Sequence, residues 1–142
     1  MSMSTMAVTF RLMLDVLDPA EITAAMGLAP THAHAKDDPM MNPSGTEQRG
    51  IYSEGLWSKS SSLGETDSVS AHIEQLLTLV KGGRDLFDRV KREGGRVDIF
   101  VGGRIDDGNG GFTLPAAIME QLGALGIDLE LDLYGNDEPR MA

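Results

Sequence analysis

The chain has 142 residues, of which 41% are hydrophobic and 24% charged, and this composition fits a single globular domain with one hydrophobic core. Its 12 basic and 22 acidic residues give a formal charge of -10, so the average surface repels nucleic-acid phosphates and anionic lipid headgroups, and both are poor partners. The chain has no cysteine, which excludes disulfides, thiolate metal sites and a cysteine nucleophile.

The first two predicted elements are a strand and a short helix. In AVTFRLML, apolar side chains alternate with other residues from Val8 to Leu14, which is the two-residue period of a strand. In LDPAEITAAMG, Asp18 is a typical N-cap, and a proline follows it in the first turn. Glu21 completes the spacing of a capping box, and Gly27 is placed to end the helix.

A long loop is predicted next. Residues Pro30 to Gly50 contain three prolines, many small polar residues and little periodicity. Loops of this length inside a compact domain are often functional or mobile. The segment IYSEGLWS that follows is a weaker strand candidate, and it carries the only tryptophan, Trp57.

The second half of the chain contains three predicted helices and two predicted strands. SVSAHIEQLLTLVKGG has helical apolar spacing and ends on glycines, and a shorter helix follows in RDLFDRVKREGG. RVDIFV is a predicted strand, RIDDGNGGFTL a turn-rich loop or a hairpin, and LPAAIMEQLGALG a helix. IDLELDLY alternates strictly, which predicts a last strand with one apolar face.

Two similar segments suggest the architecture. PAEITAAMG and PAAIMEQLG share proline, alanine, isoleucine and glycine at equal offsets, and each lies between two predicted strands. We therefore predict one α+β domain over residues 1–135, made of two split β-α-β halves in a ferredoxin-like sheet. A helical pair joins the halves, and all helices lie on one face of the sheet. Residues 136–142 are predicted to be a flexible tail.

The N-terminal residues indicate the compartment. MSMSTMAVTFRLMLDVLDP has no basic start, and Arg11 and Asp15 interrupt its apolar run, so it is not typical of a signal peptide. No stretch reaches the roughly 18 consecutive apolar residues that a membrane helix needs. We therefore expect a cytoplasmic protein.

The segment THAHAKDDPMM offers four candidate metal ligands, His32, His34, Asp37 and Asp38. Imidazoles and carboxylates are common ligands of zinc and similar ions. All four residues lie on one proline-flanked segment, and His72 is the only other imidazole in the chain. The alternative interpretation is a solvated loop, and no cofactor is predicted.

The last predicted strand carries a row of acids, Asp128, Glu130 and Asp132. Three carboxylates side by side cannot be buried without partners, so we expect one face of the sheet to be exposed to water. Arg11 on the first strand could neutralise part of the row across a strand pair. The row is either a hydrated strand face or a docking surface for a basic partner.

The glycine-rich segment GGRIDDGNGG fits neither of two ligand templates. No Lys-Ser or Lys-Thr follows the glycines, as a phosphate-binding loop requires, and a twelve-residue calcium loop counted from Asp107 has Ile118 in place of the bidentate glutamate. Asp-Gly and Asn-Gly are typical of tight turns, so we predict a turn.

Three further residues have candidate roles. Trp57 and Tyr52 could line a pocket, although the only tryptophan of a domain this size commonly belongs to the core. His72 is interpreted as a residue at the edge of its helix's buried face rather than as a base. The serines near Trp57 lack nucleophile-elbow spacing, and we find no hydrolase signature.

The segments LDPAEITAAMGLAPT, GLW, HIEQLLTLV and NGGFTLPAAIMEQLGALGIDLELDLY together resemble a family of small bacterial proteins known only as a domain of unknown function. The resemblance runs from about Phe10 to Tyr134. It implies a stand-alone α+β domain and supplies no catalytic residue. This chain departs from the family at HAHAKDDPMMNPSGTEQ, where similar proteins tend to have a shorter link that contains Lys-Gly. The matching residues are Pro19, Ile22, Thr23, Gly27, Pro30, Thr31, Gly55, Trp57, Asp132 and Tyr134.

Together these features favour a non-enzymatic binding module that neutralises or escorts a basic partner protein. The alternative is a small-molecule or metal-binding protein, or an enzyme, that uses the Pro30–Gly50 loop beside Trp57. The chain is expected to be a monomer or a homodimer, and a homodimer through the exposed sheet face would require the like-charged rows to be offset or avoided.

Overall fold

The computed structural model describes residues 3–105 and 108–135, where the chain forms four helices and seven strands. This mixture of elements confirms the α+β class. In chain order the elements are β1 (Met3–Leu14), α1 (Pro19–Met26), β2 (His32–His34), β3 (Pro39–Met41), β4 (Gln48–Ile51), β5 (Gly55–Ser60), α2 (Val69–Val80), α3 (Arg84–Arg92), β6 (Arg96–Ile105), α4 (Ala116–Leu125) and β7 (Asp128–Tyr134).

β1 is the central strand of a five-stranded sheet. It pairs antiparallel with β5 on one side and with β6 on the other. Alternate side chains from Val8 to Leu14 are buried against the helices, whereas Thr9 and Arg11 point to the opposite face. The predicted strand is confirmed, and pairing with β6 extends it back to Met3.

The strand order is β2-β5-β1-β6-β7. β1 and β2 are both antiparallel to β5 and therefore run in the same direction on either side of it, so β1-α1-β2 is a split unit. Its second strand differs from the predicted one, because β2 lies in the predicted loop, whereas the predicted strand IYSEGLWS overlaps β5, which pairs directly with β1. β6 and β7 are parallel neighbours joined by α4, so the second predicted split unit is wrong. Because β5 and β6 already occupy both sides of β1, β7 pairs with the outer edge of β6. The ferredoxin-like arrangement is not confirmed.

α1 forms where it is predicted, with the predicted N-cap and terminal glycine, but the described residues show no capping-box hydrogen bond from Glu21. The Asp18 carboxylate accepts a hydrogen bond from the Ala20 N–H at 3.1 Å, and Gly27 ends the helix with a φ of 62°. The Gly27 N–H donates to the Thr23 carbonyl at 2.9 Å. The Glu21 carboxylate pairs with Arg89 of α3 at 2.7 Å, so this residue joins two helices.

All four helices pack on the same face of the sheet, as predicted. Their buried apolar side chains join those of β1, β5 and β6 in one hydrophobic cluster. Phe10 is at its centre, with its ring centroid 6.3 Å from that of Trp57 and 5.2 Å from that of Phe87. Within the described residues, no helix has the length and apolar character needed to cross a membrane.

The prediction of one continuous loop from Pro30 to Gly50 is wrong, because β2, β3 and most of β4 lie in this segment and pair as parts of a ribbon. β2 and β3 form one limb, and they pair with β5 and β4 of the other limb. The limbs bend at Asp37, whose N–H donates to the Tyr52 carbonyl at 2.9 Å. β3 and β4 are mostly exposed and carry no alternating apolar pattern, so their sequence gives no strand signal.

The last elements follow the prediction with one difference. β6 continues to Ile105, and no strand forms between residues 108 and 115, so the alternative of a hairpin in RIDDGNGGFTL is not realised there. α4 and β7 form where helix and strand were predicted. The predicted tail, residues 136–142, lies outside the described residues.

Candidate functional site

The candidate site is the face of the five-stranded sheet opposite the helices, which we call the open face. The strand registers place two groups of residues on it. From β2, β5 and β1 come His32, His34, Leu56, Ser58, Thr9, Arg11 and Met13. From β6 and β7 come Asp98, Phe100, Asp128, Glu130 and Asp132.

An ion pair occupies the middle of the open face. Arg11 donates from Nε and Nη2 to the two carboxylate oxygens of Asp98, at 2.8 and 2.7 Å. The guanidinium also lies 4.8 Å from the centre of the Phe100 ring. The hydrogen bonds to Asp98 raise the pKa of Arg11, opposed by partial burial. Both charges are therefore largely satisfied by each other.

This pairing corrects the prediction that Arg11 neutralises the acidic row. Asp98 faces Arg11 directly in the β1–β6 register, whereas Glu130 lies one strand further away and acts on Arg11 only through space. The sequence contains a signal for the pair, since one arginine and one aspartate interrupt two apolar strands. The pairing itself could not be predicted from this signal, because it depends on β6 lying next to β1 in the sheet.

The acidic row lies on one face of β7, as predicted. Asp128, Glu130 and Asp132 are in register with alternate residues of β6, and leucines occupy the other face. Asp132 accepts a hydrogen bond from the Tyr134 hydroxyl at 2.7 Å, and this bond raises the pKa of Tyr134. Among the described residues, the carboxylates of Asp128 and Glu130 have no ion-pair or hydrogen-bond partner.

β7 is also an edge strand with exposed apolar side chains. Its outer edge pairs with no other strand in the described part of the chain. Leu131, Leu133 and Tyr134 are 46%, 39% and 53% exposed. An edge of this kind presents free backbone N–H and C=O groups to a partner strand.

A second cluster lies at the opposite edge of the sheet, where the ribbon leaves it. His32 and His34 of β2 have Nε2 and Nδ1 atoms 3.1 Å apart. Tyr52 stacks on His34 with centroids 3.4 Å apart and ring planes 10° apart. Burial, followed by the nearby His32, lowers the pKa of His34, which is only 9% exposed.

A groove of about 280 Å³ separates this ribbon from the middle of the open face. Its walls include Arg11, Met13, His34, Met40, Tyr52 and Glu54. Its charged groups are already paired, since Asp98 holds Arg11, and Arg96 donates to the Glu54 carboxylate at 2.8 Å.

The two predicted metal-ligating aspartates form the bend of the ribbon. The Asp38 carboxylate accepts a hydrogen bond from the Ala35 N–H at 2.8 Å, and Asp37 has a φ of 71°. The described residues contain no group of three or more histidine, aspartate or glutamate side chains arranged to hold an ion. Of the four predicted metal ligands, the structure therefore brings only His32 and His34 together. Asp37 and Asp38 do not join them in a group that could hold an ion.

Of the two interpretations of Trp57, the core residue is the correct one, and Trp57 does not line a pocket with Tyr52. The indole is fully buried on the helix face of β5, where its Nε1–H donates to the Thr23 hydroxyl at 3.0 Å. Tyr52 contacts the imidazoles on the open face. The sheet thus separates the two rings.

His72 is more deeply buried than predicted, at 4% exposed. Its Nδ1 lies 2.8 Å from the Ser61 hydroxyl, and its Nε2 lies 2.9 Å from the Gly64 carbonyl. Gln75 of the same helix accepts a hydrogen bond from the Ser62 N–H at 2.8 Å. These bonds tie the segment after β5 to α2, which accounts for His72 as a structural residue.

A cavity of about 550 Å³ lies beside the N-terminus of α2. Glu65 and Asp67 line it, and no basic side chain does so among the described residues. The Ser68 hydroxyl already caps the helix by accepting from the Ala71 N–H. Carboxylates oppose the anions that a helix N-terminus attracts, so we place the candidate site on the open face.

Comparison with known proteins identifies the family of the chain but no activity. Neither a curated protein nor a solved structure matches the chain. A family model described as a domain of unknown function (DUF4279) matches residues 3–136, a range that includes every described helix and strand. The chain therefore belongs to this family, in agreement with the resemblance of its sequence.

Proposed function

We propose that the chain is a non-catalytic protein-binding module that takes up a basic, extended segment of a partner protein along β7. One observation carries the proposal. β7 has no neighbour on its outer edge in the described part of the chain, while carboxylates line one of its faces and exposed leucines line the other.

Strand addition explains why both faces of β7 matter. A partner strand that adds to a sheet edge makes backbone hydrogen bonds, and its alternate side chains lie beside those of the edge strand. Directly opposed residues have Cβ atoms about 4.5–5.5 Å apart. A strand in which lysine or arginine alternates with apolar residues therefore places its charges beside Asp128 and Glu130 and its apolar groups beside Leu131 and Leu133.

The same geometry disfavours a second copy of this chain as the partner. If two β7 strands pair antiparallel around Leu131, Glu130 of each copy faces Asp132 of the other. Directly opposed like charges destabilise a strand pair. The net charge of -10 adds repulsion between copies at neutral pH.

The open face supports binding better than catalysis. Arg11 and Asp98 are held by each other, and Glu54 is held by Arg96, so these charges are not poised to exchange protons with a substrate. The alternative function, in which a ligand binds between the Pro30–Gly50 loop and Trp57, is disfavoured because Trp57 is buried on the other side of the sheet.

The test is a titration of the ¹⁵N-labelled protein with a synthetic peptide in which lysine alternates with valine. We expect the amide signals of residues 128–134 to shift, and the affinity to fall as salt rises, since exposed charges are screened over about 10 Å at 0.1 M ionic strength. A peptide of the same composition with its lysines in one block should bind more weakly.

Two matched variants separate a local site from the overall charge. Asp128→Asn, Glu130→Gln and Asp132→Asn together remove three charges from β7. Glu74→Gln, Asp85→Asn and Glu120→Gln together remove three from exposed positions on the helices. We expect at least a tenfold loss of affinity in the first variant alone. Equal weakening in both variants, or shifts confined to other strands, would exclude β7 as the site.

A further inference from the structure

We infer that His32 and His34 form a two-imidazole binding site for a borderline divalent transition-metal ion, with Cu²⁺ as the preferred ion. The inference rests on the distance between their facing nitrogens and on the way in which the ribbon holds the two rings. It involves neither Asp37 nor Asp38, and it is independent of the proposed β7 surface, because β2 and β7 are opposite edges of the sheet.

The separation of the two nitrogens suits a chelate. His32 Nε2 and His34 Nδ1 are 3.1 Å apart. Two imidazole nitrogens that each bind one ion at about 2.0–2.1 Å, with an angle of roughly 90–109° at the metal, lie roughly 2.9–3.4 Å apart. The observed distance falls inside this range, so an ion can replace the hydrogen bond with little movement of the backbone.

The strand and the ribbon hold the rings in place before any ion binds. Residues two apart on a strand point to the same face, and pairing with Ser58 and Leu56 of β5 fixes both positions. Tyr52 stacks on the His34 ring and restricts its rotation. Pre-organised ligands lose little conformational entropy when they bind.

The exposure of the two imidazoles determines how an ion reaches them, and their nitrogen donors determine which ion they prefer. His34 is buried under Tyr52, whereas His32 is exposed and leaves the outer side of the pair open to water. Two neutral imidazoles suit copper, nickel and zinc, and affinity generally rises from Ni²⁺ to Cu²⁺ and falls again at Zn²⁺. Water completes the coordination at the open side.

The experiment titrates the protein with Cu²⁺ and follows binding by calorimetry, electron paramagnetic resonance and the imidazole proton signals. We expect one ion per chain, two nitrogen donors, and a weaker response to Zn²⁺. At a small fraction of one equivalent, the signals of His32 and His34 should broaden. His72 is an internal reference, because both of its ring nitrogens are engaged in a buried network.

Single substitutions decide whether both rings bind the ion. His32→Ala and His34→Ala should each lower the Cu²⁺ affinity at least tenfold, whereas Tyr52→Phe, which keeps the stacked ring, should leave it within about twofold. His32 is exposed, so its replacement is decisive even if His34→Ala loosens the ribbon. Unchanged affinity in His32→Ala, or equal broadening of all three imidazoles, would overturn the site.

Discussion

Arg11 and Asp98 form a two-pronged ion pair between directly facing residues of β1 and β6, with N–O distances of 2.8 and 2.7 Å. The Asp98 side chain is 10% exposed and that of Arg11 is 27% exposed. Phe100 lies beneath the guanidinium. A mostly buried carboxylate thus depends on one cation, and the loss of that cation is more damaging than the loss of a surface charge.

Arg11→Met should therefore destabilise the protein. The variant keeps much of the apolar stem but leaves Asp98 without its cation. We expect the free energy of unfolding to fall by about 1–3 kcal/mol, less than for a fully buried pair because Arg11 is partly exposed. Urea denaturation at pH 7 measures the loss. Arg84→Met is the matched control, since Arg84 and Asp88 are an exposed pair 4.0 Å apart, and such pairs contribute at most about 1 kcal/mol.

The hydrogen bond between Trp57 and Thr23 gives a second prediction. Thr23→Val keeps the shape of the side chain but leaves the buried indole N–H without its acceptor, which should lower the free energy of unfolding by about 1–3 kcal/mol. Thr78→Val is the control, because Thr78 is exposed on α2 and its hydroxyl only donates to the Glu74 carbonyl. Fluorescence of the single tryptophan follows both transitions. Equal stability of the two variants would contradict a specific role for this bond.

Periodic segments made the helices and long strands predictable. β1, α1, α2 and β7 combine apolar periodicity with capping or alternation, and these signals depend on a few neighbouring residues. The face shared by Asp128, Glu130 and Asp132 follows from the same alternation. Such local features survive in any compact arrangement, so one sequence is enough to predict them.

Features that depend on strand order were not predictable. The partner of Arg11 depends on β6 being the neighbour of β1, and the two residues are 87 positions apart in the chain. The ribbon after His34 is held by backbone bonds, such as that between Asp37 and Tyr52, and it buries too little apolar surface to show a period. The burial of Trp57 on the helix face depends on the register of β5 with β1.

Gly95 provides a third prediction, which concerns the close approach of α3 to β1. A Cβ at this position would lie 2.5 Å from the Met13 carbonyl oxygen and 2.7 Å from a methyl carbon of Val90. Gly95→Ala should therefore lower the free energy of unfolding by about 1–3 kcal/mol through overpacking.

Gly123 is the matched control for this change. It lies inside α4, and a methyl group added to it would have no neighbouring atom within 4 Å, so Gly123→Ala should stabilise the protein by up to about 1 kcal/mol through helix propensity. Thermal or urea unfolding of the two variants should show shifts of opposite sign. If both substitutions changed the free energy of unfolding in the same direction, close packing at Gly95 would not explain the effect of Gly95→Ala.

His34 gives the last prediction, which is a dependence of stability on pH. Burial and the neighbouring His32 lower the pKa of His34 in the folded protein below the ordinary value of about 6.5. As the pH falls through about 6.5, the unfolded chain takes up a proton that the folded chain does not, so the free energy of unfolding decreases. The contribution of His34 is fully present above this pH. With a metal chelator present, urea denaturation from pH 7.5 to 5.5 should show wild type losing stability relative to His34→Gln. Parallel pH curves for the two proteins, or an NMR titration of the His34 ring protons at or above pH 6.5, would contradict this expectation.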